Sequence, residues 1–378
     1  MSDIPFIDLA AQQNRIRAKI DRRLDEVLRH GNYILGPEVQ QLERELAQFS
    51  GVKHAITCGN GTDALLLALM ALEIRTGDAV FCPSFTFAAT AEVVPCLGAT
   101  PFFVDVDENT FNLDPNSLRL AIGEARAIGL RPRCIIPVDL FGLPADYKQI
   151  LEIAENEKLS VLADSAQGYG GAFHGQKTGS IGDIATTSFF PAKPLGCYGD
   201  GGALFTNDDH IAEVVISYRF HGKGADKYDN ERIGMNSRLD TFQAAILLEK
   251  LAIYPDELSR RNKIAGRYSM GIKNDCIQTP FLPNGYKSAW AQYTLKAPDS
   301  NSRSIFMEAL KKQGIPSVIY YPVPLHKQTA YRKFPRCSDG LATSEQLATQ
   351  VFSIPFHPYL SESLQDSIID VINNTMQQ

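Results

Sequence analysis

The run Cys134-Ile-Ile-Pro-Val138, the helical stretch Asp146 to Lys158 and the run Leu159-Ser-Val-Leu-Ala163 decide how this chain is read. Two short β-rich segments joined through a helix of this length make a strand-helix-strand unit, the crossover that parallel strands require. The same alternation extends outward. Ala79-Val-Phe-Cys82 and Thr100-Pro-Phe-Phe-Val104 read as further strands, and from about residue 52 to 250 short strands alternate with helices. That pattern predicts a mostly parallel sheet with helices on both faces. Ahead of it, Ile16, Ile20, Leu24, Val27 and Leu28 recur at helical spacing. A second helix starts at Gly36-Pro37, with Val39, Leu42, Leu46 and Phe49 on one face and Gly51 at its end. Beyond Pro255 the texture changes. A polar helix from Asp256 to Lys273, a strand at Ala291-Gln-Tyr-Thr-Leu295, a helix ending at Gly314, a strand from Ser317 to Tyr321 and a last helix near Glu362 to Asn373 are expected there. The organisation predicted is an α/β fold, with a large domain over residues 1–254, N-terminal helical segment included, and a smaller α+β domain over 255–378.

The 378 residues carry a net charge of −6, with 44% hydrophobic and 21% charged side chains. A chain this long buries about three quarters of its unfolded surface, so its core needs no staple. The mild acidic balance lacks the basic footprint that nucleic acid or an anionic membrane surface selects, which moves small-molecule chemistry forward. Seven widely spread cysteines without a C-x-x-C pair predict reduced, buried thiols in a cytosolic protein. Met1 to Asp8 carries acids and no signal-peptide pattern. The longest apolar stretch, Ala64 to Ile74, is broken by Glu73 and is far short of the roughly 20 residues that span a bilayer. The histidines show no metal-ligand spacing, and no G-x-S-x-G or P-loop motif occurs. The cluster Gly196-x-x-Gly199-x-Gly201-Gly202 runs into Ala-Leu-Phe-Thr, a strand rather than the helix a dinucleotide site would need.

Four features remain. Cys58-Gly-Asn-Gly-Thr-Asp63 is a Gly-rich turn leading into the apolar helix Ala64 to Leu72, where backbone N–H groups and a helix N-terminus can cradle a phosphate, with Thr62 as an added donor. Alternatively Thr62 or Asp63 is a plain helix cap. Asp164 follows the strand Leu159 to Ala163, where open α/β sheets place ligands; it can hold a cationic ring nitrogen or, again, cap a helix. Lys193 lies in Ser188-Phe-Phe-Pro-Ala-Lys193-Pro194, where Pro194 biases it away from helix and apolar neighbours would lower its pKa and make the amine nucleophilic, unless it is a solvated surface charge. Phe87, in Pro83-Ser-Phe-Thr-Phe87, can cover a planar ligand or pack in the core. Together, a phosphate cradle, a ring face, a carboxylate for a pyridinium nitrogen and a loop lysine are what pyridoxal phosphate requires.

At these residues the chain resembles the sugar aminotransferases of the DegT/DnrJ/EryC1/StrS family, pyridoxal-phosphate enzymes of the aspartate-aminotransferase-like fold. The resemblance runs from Phe6-Ile-Asp-Leu9 and Gly31-Asn-Tyr-Ile-Leu-Gly-Pro-Glu38 through Gly59 to Leu65, Asp164-Ser-Ala-Gln167, Ser188 to Gly202 and Asn236-Ser-Arg-Leu-Asp240 to Tyr321-Pro-Val-Pro-Leu325. It implies that Lys193 bonds the cofactor covalently and then shuttles a proton, that Asp164 pairs with the pyridine nitrogen and that Phe87 stacks on the ring. It places Gln167 near the phenolic oxygen, and Gly61, Thr62 and Ser188 on the phosphate, with Asp63 at the same helix start. Asn236 would reach the cofactor of a neighbouring subunit, which implies a homodimer. Relatives with His in place of the lysine dehydrate instead, and Lys193 excludes that branch.

The segment Thr187 to Gly202 is most similar to bacterial enzymes that use glutamate to aminate UDP-2-acetamido-2-deoxy-3-oxo-glucuronate for O-antigen. Other relatives act on 3-keto or 4-keto 6-deoxyhexoses, commonly linked to TDP. Arg238 is the natural partner for a uronate carboxylate or a phosphate, or else a structural partner of Asp240. Gly31, Tyr33, Tyr320 and Tyr321 fall where relatives contact the nucleotide sugar, and Ala192 stands where close relatives often have Ser. A non-catalytic regulator that kept the fold is the alternative from another class.

Overall fold

The computed structural model describes residues 4–226 and 228–376. Of the N-terminal stretch read against a signal peptide, Met1 to Asp3 lie outside the described residues. The first half folds as α1 (Leu9–His30), α2 (Pro37–Ser50), β1 (His54–Cys58), α3 (Gly61–Ala71), β2 (Asp78–Pro83), α4 (Ala89–Cys96), β3 (Thr100–Val104), α5 (Pro115–Ala127), β4 (Arg131–Ile135), α6 (Tyr147–Glu157) and β5 (Ser160–Asp164). There follow β6 (Ala172–Phe173), β7 (Gln176–Lys177), β8 (Ile184–Ser188), β9 (Gly202–Thr206), α7 (Asp209–Tyr218) and α8 (Thr241–Gly271). The chain ends with β10 (Tyr286–Lys287), β11 (Tyr293–Lys296), α9 (Ser300–Lys312), α10 (Ala342–Gln350), β12 (Val351–Ile354) and α11 (Glu362–Asn374).

Among the described residues the central sheet has seven strands in the order β1-β9-β8-β5-β4-β2-β3. The pairs β2·β3, β2·β4, β4·β5 and β5·β8 are parallel, and β9 runs antiparallel to both β8 and β1. The mostly parallel α/β sheet expected from the alternation is therefore present. Strands covered by helices on both faces cannot alternate apolar with polar, and β2 is buried along its whole length. Because β9 reverses direction, β1, β2, β5 and β8 point the same way, and their carboxyl ends open on one side of the sheet. The N-terminal helices form for the anticipated local reasons. Asp8 accepts the N–H of Ala11 at 2.8 Å to start α1, Pro37 occupies the first turn of α2, and Gly31 and Gly51 end the two helices at φ +71° and +75°.

Four expectations are corrected. The strand anticipated at Cys134 to Val138 sits earlier, as β4, and Val138 only bridges Asp164. No strand runs from Ser317 to Tyr321: Val318 bridges Ser353, after which Pro322 and Pro324 remove the donors a ladder would need. Pro255 does not start a new helix, because α8 passes straight through it. Packing on both sides overrides the local penalty of an interior proline. Ala244, Leu247, Leu248 and Leu251 join the core around the central sheet. Ile264, Ala265 and Tyr268 join a second core with β11, β12, α9 and α11. The cysteines are free, but Cys96 is exposed and Cys276 half-buried, unlike the buried Cys58, Cys82, Cys134, Cys197 and Cys337. Among the described residues no helix is long and apolar enough to cross a membrane.

Candidate active site

The converging strand ends open into a pocket of about 670 Å³. Gly61, Thr62, Asp63, Phe87, Asp164, Gln167, Ser188, Lys193, Tyr320 and Tyr321 all line it. Six of these lie at the start of α3, just after β2 or at the end of β5 and in the turn beyond it, which is why residues far apart in sequence meet.

The turn after β1 is capped by Asn60, not by Thr62 or Asp63: its Oδ1 accepts the N–H of Asp63 at 2.8 Å. The Asp63 carboxylate is engaged elsewhere, accepting the Ser237 hydroxyl at 2.6 Å, while Ser237 Oγ accepts the N–H of Gly59 at 3.0 Å. That leaves the first amides of α3 and the hydroxyls of Thr62 and Ser188 at the pocket, without intrahelical acceptors for those amides. Two glycines make the approach possible. A Cβ on Gly61 would lie 2.6 Å from Ser188 Cβ, and one on Gly202 would run into the Asn60 carbonyl. The result is an amide-lined hollow at a helix N-terminus, which fits a phosphate dianion. Gly61→Ala is expected to crowd this hollow and weaken retention of a phosphorylated cofactor about tenfold to a hundredfold, measured as the dissociation constant by absorbance titration.

Asp164 sits at the end of β5, buried, and accepts the Thr90 hydroxyl at 2.9 Å and the N–H of Ala166 at 3.2 Å. No helix follows it, so it is not a helix cap. Burial pushes its carboxyl above the ordinary range, and the hydrogen bonds and the Lys193 ammonium pull it back. Lys193 stands in a turn whose N–H bonds the Phe190 carbonyl at 2.8 Å. Burial pulls its amine below the ordinary lysine value, with Asp164 opposing. Its Nζ makes no hydrogen bond or ion pair among the described residues. A buried carboxylate and an amine whose charged form burial disfavours thus line one pocket, a pairing suited to a cationic heterocycle.

Gln167 is oriented from behind. Its Oε1 accepts the N–H of Phe141 at 3.0 Å, so its NH2 points toward Tyr321 OH, 3.3 Å away, and can donate into the pocket. Phe87 is 54% exposed, with its ring 6.3 Å from that of Tyr321, so it is a pocket wall rather than core. Behind Asp164 lies a second buried carboxyl, Asp139, whose pKa burial pushes up to about 7. It accepts Ser165 Oγ at 2.6 Å and Tyr147 OH at 2.8 Å, and its N–H bonds the Asp164 carbonyl, which holds the β5 turn in place.

Four of the expected residues lie outside this chain's pocket. Gly31 ends α1, and Tyr33 stacks on Phe242 with centroids 5.6 Å apart. Asn236 is exposed and bridges Phe220. Arg238 lies 5.0 Å over the Phe220 ring, with no ion pair to Asp240 among the described residues. The pocket also contains residues that sequence reasoning missed, among them Asn60, Asp200 and Gln292. Gln292 Oε1 is buried without a hydrogen-bond partner among the described residues. Asn60 had a signal, being a good capping residue just before an apolar helix. Thr90 had none, since its partner Asp164 is remote in sequence, and no local pattern marks Gln292.

The model of the DegT/DnrJ/EryC1/StrS aminotransferase family matches residues 14–373. A Pseudomonas aeruginosa protein, UDP-2-acetamido-2-deoxy-3-oxo-D-glucuronate aminotransferase, is 46% identical, with 98% of this chain and 100% of that protein covered. The crystal structure of a DegT DnrJ EryC1 StrS aminotransferase from Brucella abortus superimposes with a TM-score of 0.95 at 51% identity, covering 98% of each chain. NtdA from Bacillus subtilis, solved with the cofactor PMP bound, superimposes at 0.89 with 28% identity, covering 98% of this chain and 85% of that one.

Proposed function

The chain belongs to the DegT/DnrJ/EryC1/StrS aminotransferase family, and on that premise we propose that it moves an amino group from L-glutamate to C3 of UDP-2-acetamido-2-deoxy-3-oxo-glucuronate. The product would enter O-antigen or a related lipopolysaccharide, made in the cytoplasm. The family's aminotransferases use pyridoxal 5'-phosphate, and the observation that carries the reading is that Lys193 and Asp164 face one pocket beside the amide hollow of α3.

When bound, pyridoxal phosphate supplies an electron sink for the carbon that loses or gains a proton. The amides of Gly61 and Thr62, with the Thr62 and Ser188 hydroxyls, would hold its phosphate. Asp164 would keep a proton on the ring nitrogen, since a buried carboxylate gains most from a cationic partner. Phe87 would cover the ring face, and the Gln167 NH2 would donate to the phenolic oxygen. Lys193, its amine depressed toward neutrality, can anchor the cofactor, then take a proton from the donor and return it to the acceptor. One site serving donor and acceptor in turn is a ping-pong arrangement.

Asn236 and Arg238 are exposed or half-exposed and outside the pocket of their own chain, which supports a homodimer in which each subunit lends them to its neighbour. Arg238 would then pair with the uronate carboxylate or a phosphate, and Gly31, Tyr33, Tyr320 and Tyr321 would border the nucleotide sugar. The division into a cofactor domain over 1–254 and a smaller one over 255–378 belongs to the same proposal. The test is incubation with glutamate and a panel of 3-keto and 4-keto UDP and TDP sugars, scored by 2-oxoglutarate release and product mass. The 3-keto UDP-uronate is expected to react at least tenfold faster in kcat/KM than any 6-deoxy TDP sugar. Preference for a TDP sugar would overturn the acceptor assignment.

A further inference from the structure

Ser84, His326 and Glu345 form a hydrogen-bonded chain that none of the chemistry above uses. His326 is 1% exposed; its Nδ1 lies 2.6 Å from Ser84 Oγ, and its Nε2 lies 3.0 Å from Glu345 Oε1. Glu345 also pairs with Lys327 Nζ at 2.8 Å, and these two partners hold its carboxyl below the ordinary range. A carboxylate can only accept, so the ring hydrogen sits on Nε2. Nδ1 must then accept the Ser84 hydroxyl hydrogen. The backbone repeats the tie, since Leu325 N–H donates to the Ser84 carbonyl at 2.9 Å.

A serine, a histidine and a glutamate in a row resemble a hydrolytic triad, but the resemblance fails on access. Ser84 is fully buried and does not line the pocket, so no substrate reaches its oxygen. What the chain does connect is two walls of the pocket. Ser84 directly follows β2, three residues before Phe87. His326 lies five residues after Tyr321, in the segment from the second half of the chain. The rings of Phe85 and Phe87 stand 6.2 and 6.3 Å from that of Tyr321. Ahead of the tyrosines the segment is held where Val318 exchanges backbone bonds with Ser353, and Tyr320 also meets the Phe6 ring at 6.4 Å and Tyr321 the 3.3 Å bond from Gln167; after them, the fastening is at residues 325 and 326.

We propose that Ser84, His326 and Glu345 are positioning residues that fasten the Tyr320–Tyr321 wall to the Phe87 wall and so set the fit of the pocket to its acceptor. The latch does not depend on which keto sugar that acceptor is. Asparagine and glutamine separate its two halves: the Asn oxygen falls near the ring Nδ1 position and can still accept from Ser84, whereas the Gln nitrogen falls near Nε2 and keeps only Glu345.

Holoenzyme variants Ser84→Ala, His326→Gln and His326→Asn test this by hydrogen exchange of the 317–328 segment and by steady-state kinetics at 25 °C. Ser84→Ala and His326→Gln should speed exchange at Leu325 to Gln328 about tenfold and raise KM for the acceptor about tenfold, with kcat within about threefold of the parent. His326→Asn, which keeps Ser84 and gives up only Glu345, should stay within about threefold of the parent in both. Unchanged exchange and KM in the first two variants, or equal damage in Asn and Gln, would overturn the latch; so would a lowered melting temperature with kinetics and exchange unmoved. If a buried variant fails to fold, Glu345→Ala at the half-exposed end should give the same pattern at about threefold. If the parent accepts none of the panel sugars, the acceptor reading fails, while the exchange experiment still decides the latch.

Discussion

Lys193→Ala is expected to yield a folded protein that lacks the yellow chromophore and any borohydride-reducible link to the polypeptide, with transaminase turnover down about a thousandfold to ten-thousandfold. The fold should survive because the lysine side chain supports nothing: its turn is held by the backbone bond to Phe190, and its Nζ has no hydrogen bond or ion pair among the described residues. The activity should not survive, because no neighbour can replace it. The other groups at the pocket are carboxylates, amides and hydroxyls, together with the phenols of Tyr320 and Tyr321, whose pKa values burial drives upward and away from proton transfer at neutral pH. Retention of full turnover would show that the base lies elsewhere and would sink the assignment.

The residues that were legible in the sequence are those whose role follows from position within a local pattern. Asp164 and Lys193 could be singled out because one ends an apolar strand and the other is flanked by prolines in a loop after one; the strand ends then brought them together. The parallel sheet was legible for the same reason, since burial on both faces leaves an unbroken apolar run. Where competing long-range contacts decide, local reading stops. Pro255 is a helix breaker by local rules, yet α8 continues because its two halves are each anchored in a core. The bond from Thr90 to Asp164 spans 74 residues and that from Ser84 to His326 spans 242, with no periodicity to announce either. Asn60 shows the smaller error of a cap displaced by two or three residues, which leaves the helix intact but changes which hydroxyls are free for a ligand. Ser237 adds a further case: its bond to Asp63 ties the Asn236 to Arg238 segment to the phosphate hollow, so a disturbance of either reaches the other.

Asp164→Asn should cut turnover about tenfold to a thousandfold and move the pH profile to lower pH. The substitution is nearly isosteric, and the amide can keep both local bonds, its oxygen accepting from Ala166 N–H while its NH2 donates to the Thr90 hydroxyl in place of the bond seen at 2.9 Å. What it removes is charge. A carboxylate within about 4–6 Å raises the pKa of a cationic partner by roughly 1–3 units, and the same span expressed as a protonated fraction gives the expected loss. The sign follows directly: without the anion the ring nitrogen holds its proton only at lower pH, so activity that the parent keeps at pH 8 falls off earlier as pH rises. Lys193 should move the same way, because Asp164 is the charge that opposes its depression. Asp139 cannot compensate from behind, since its carboxyl is already spent on Ser165, Tyr147 and the N–H of Ala145. The measurement is kcat and kcat/KM from pH 5.5 to 9 with the parent and the variant side by side. An unshifted profile at full rate would mean that Asp164 serves packing alone and that protonation of the cofactor is controlled by another group.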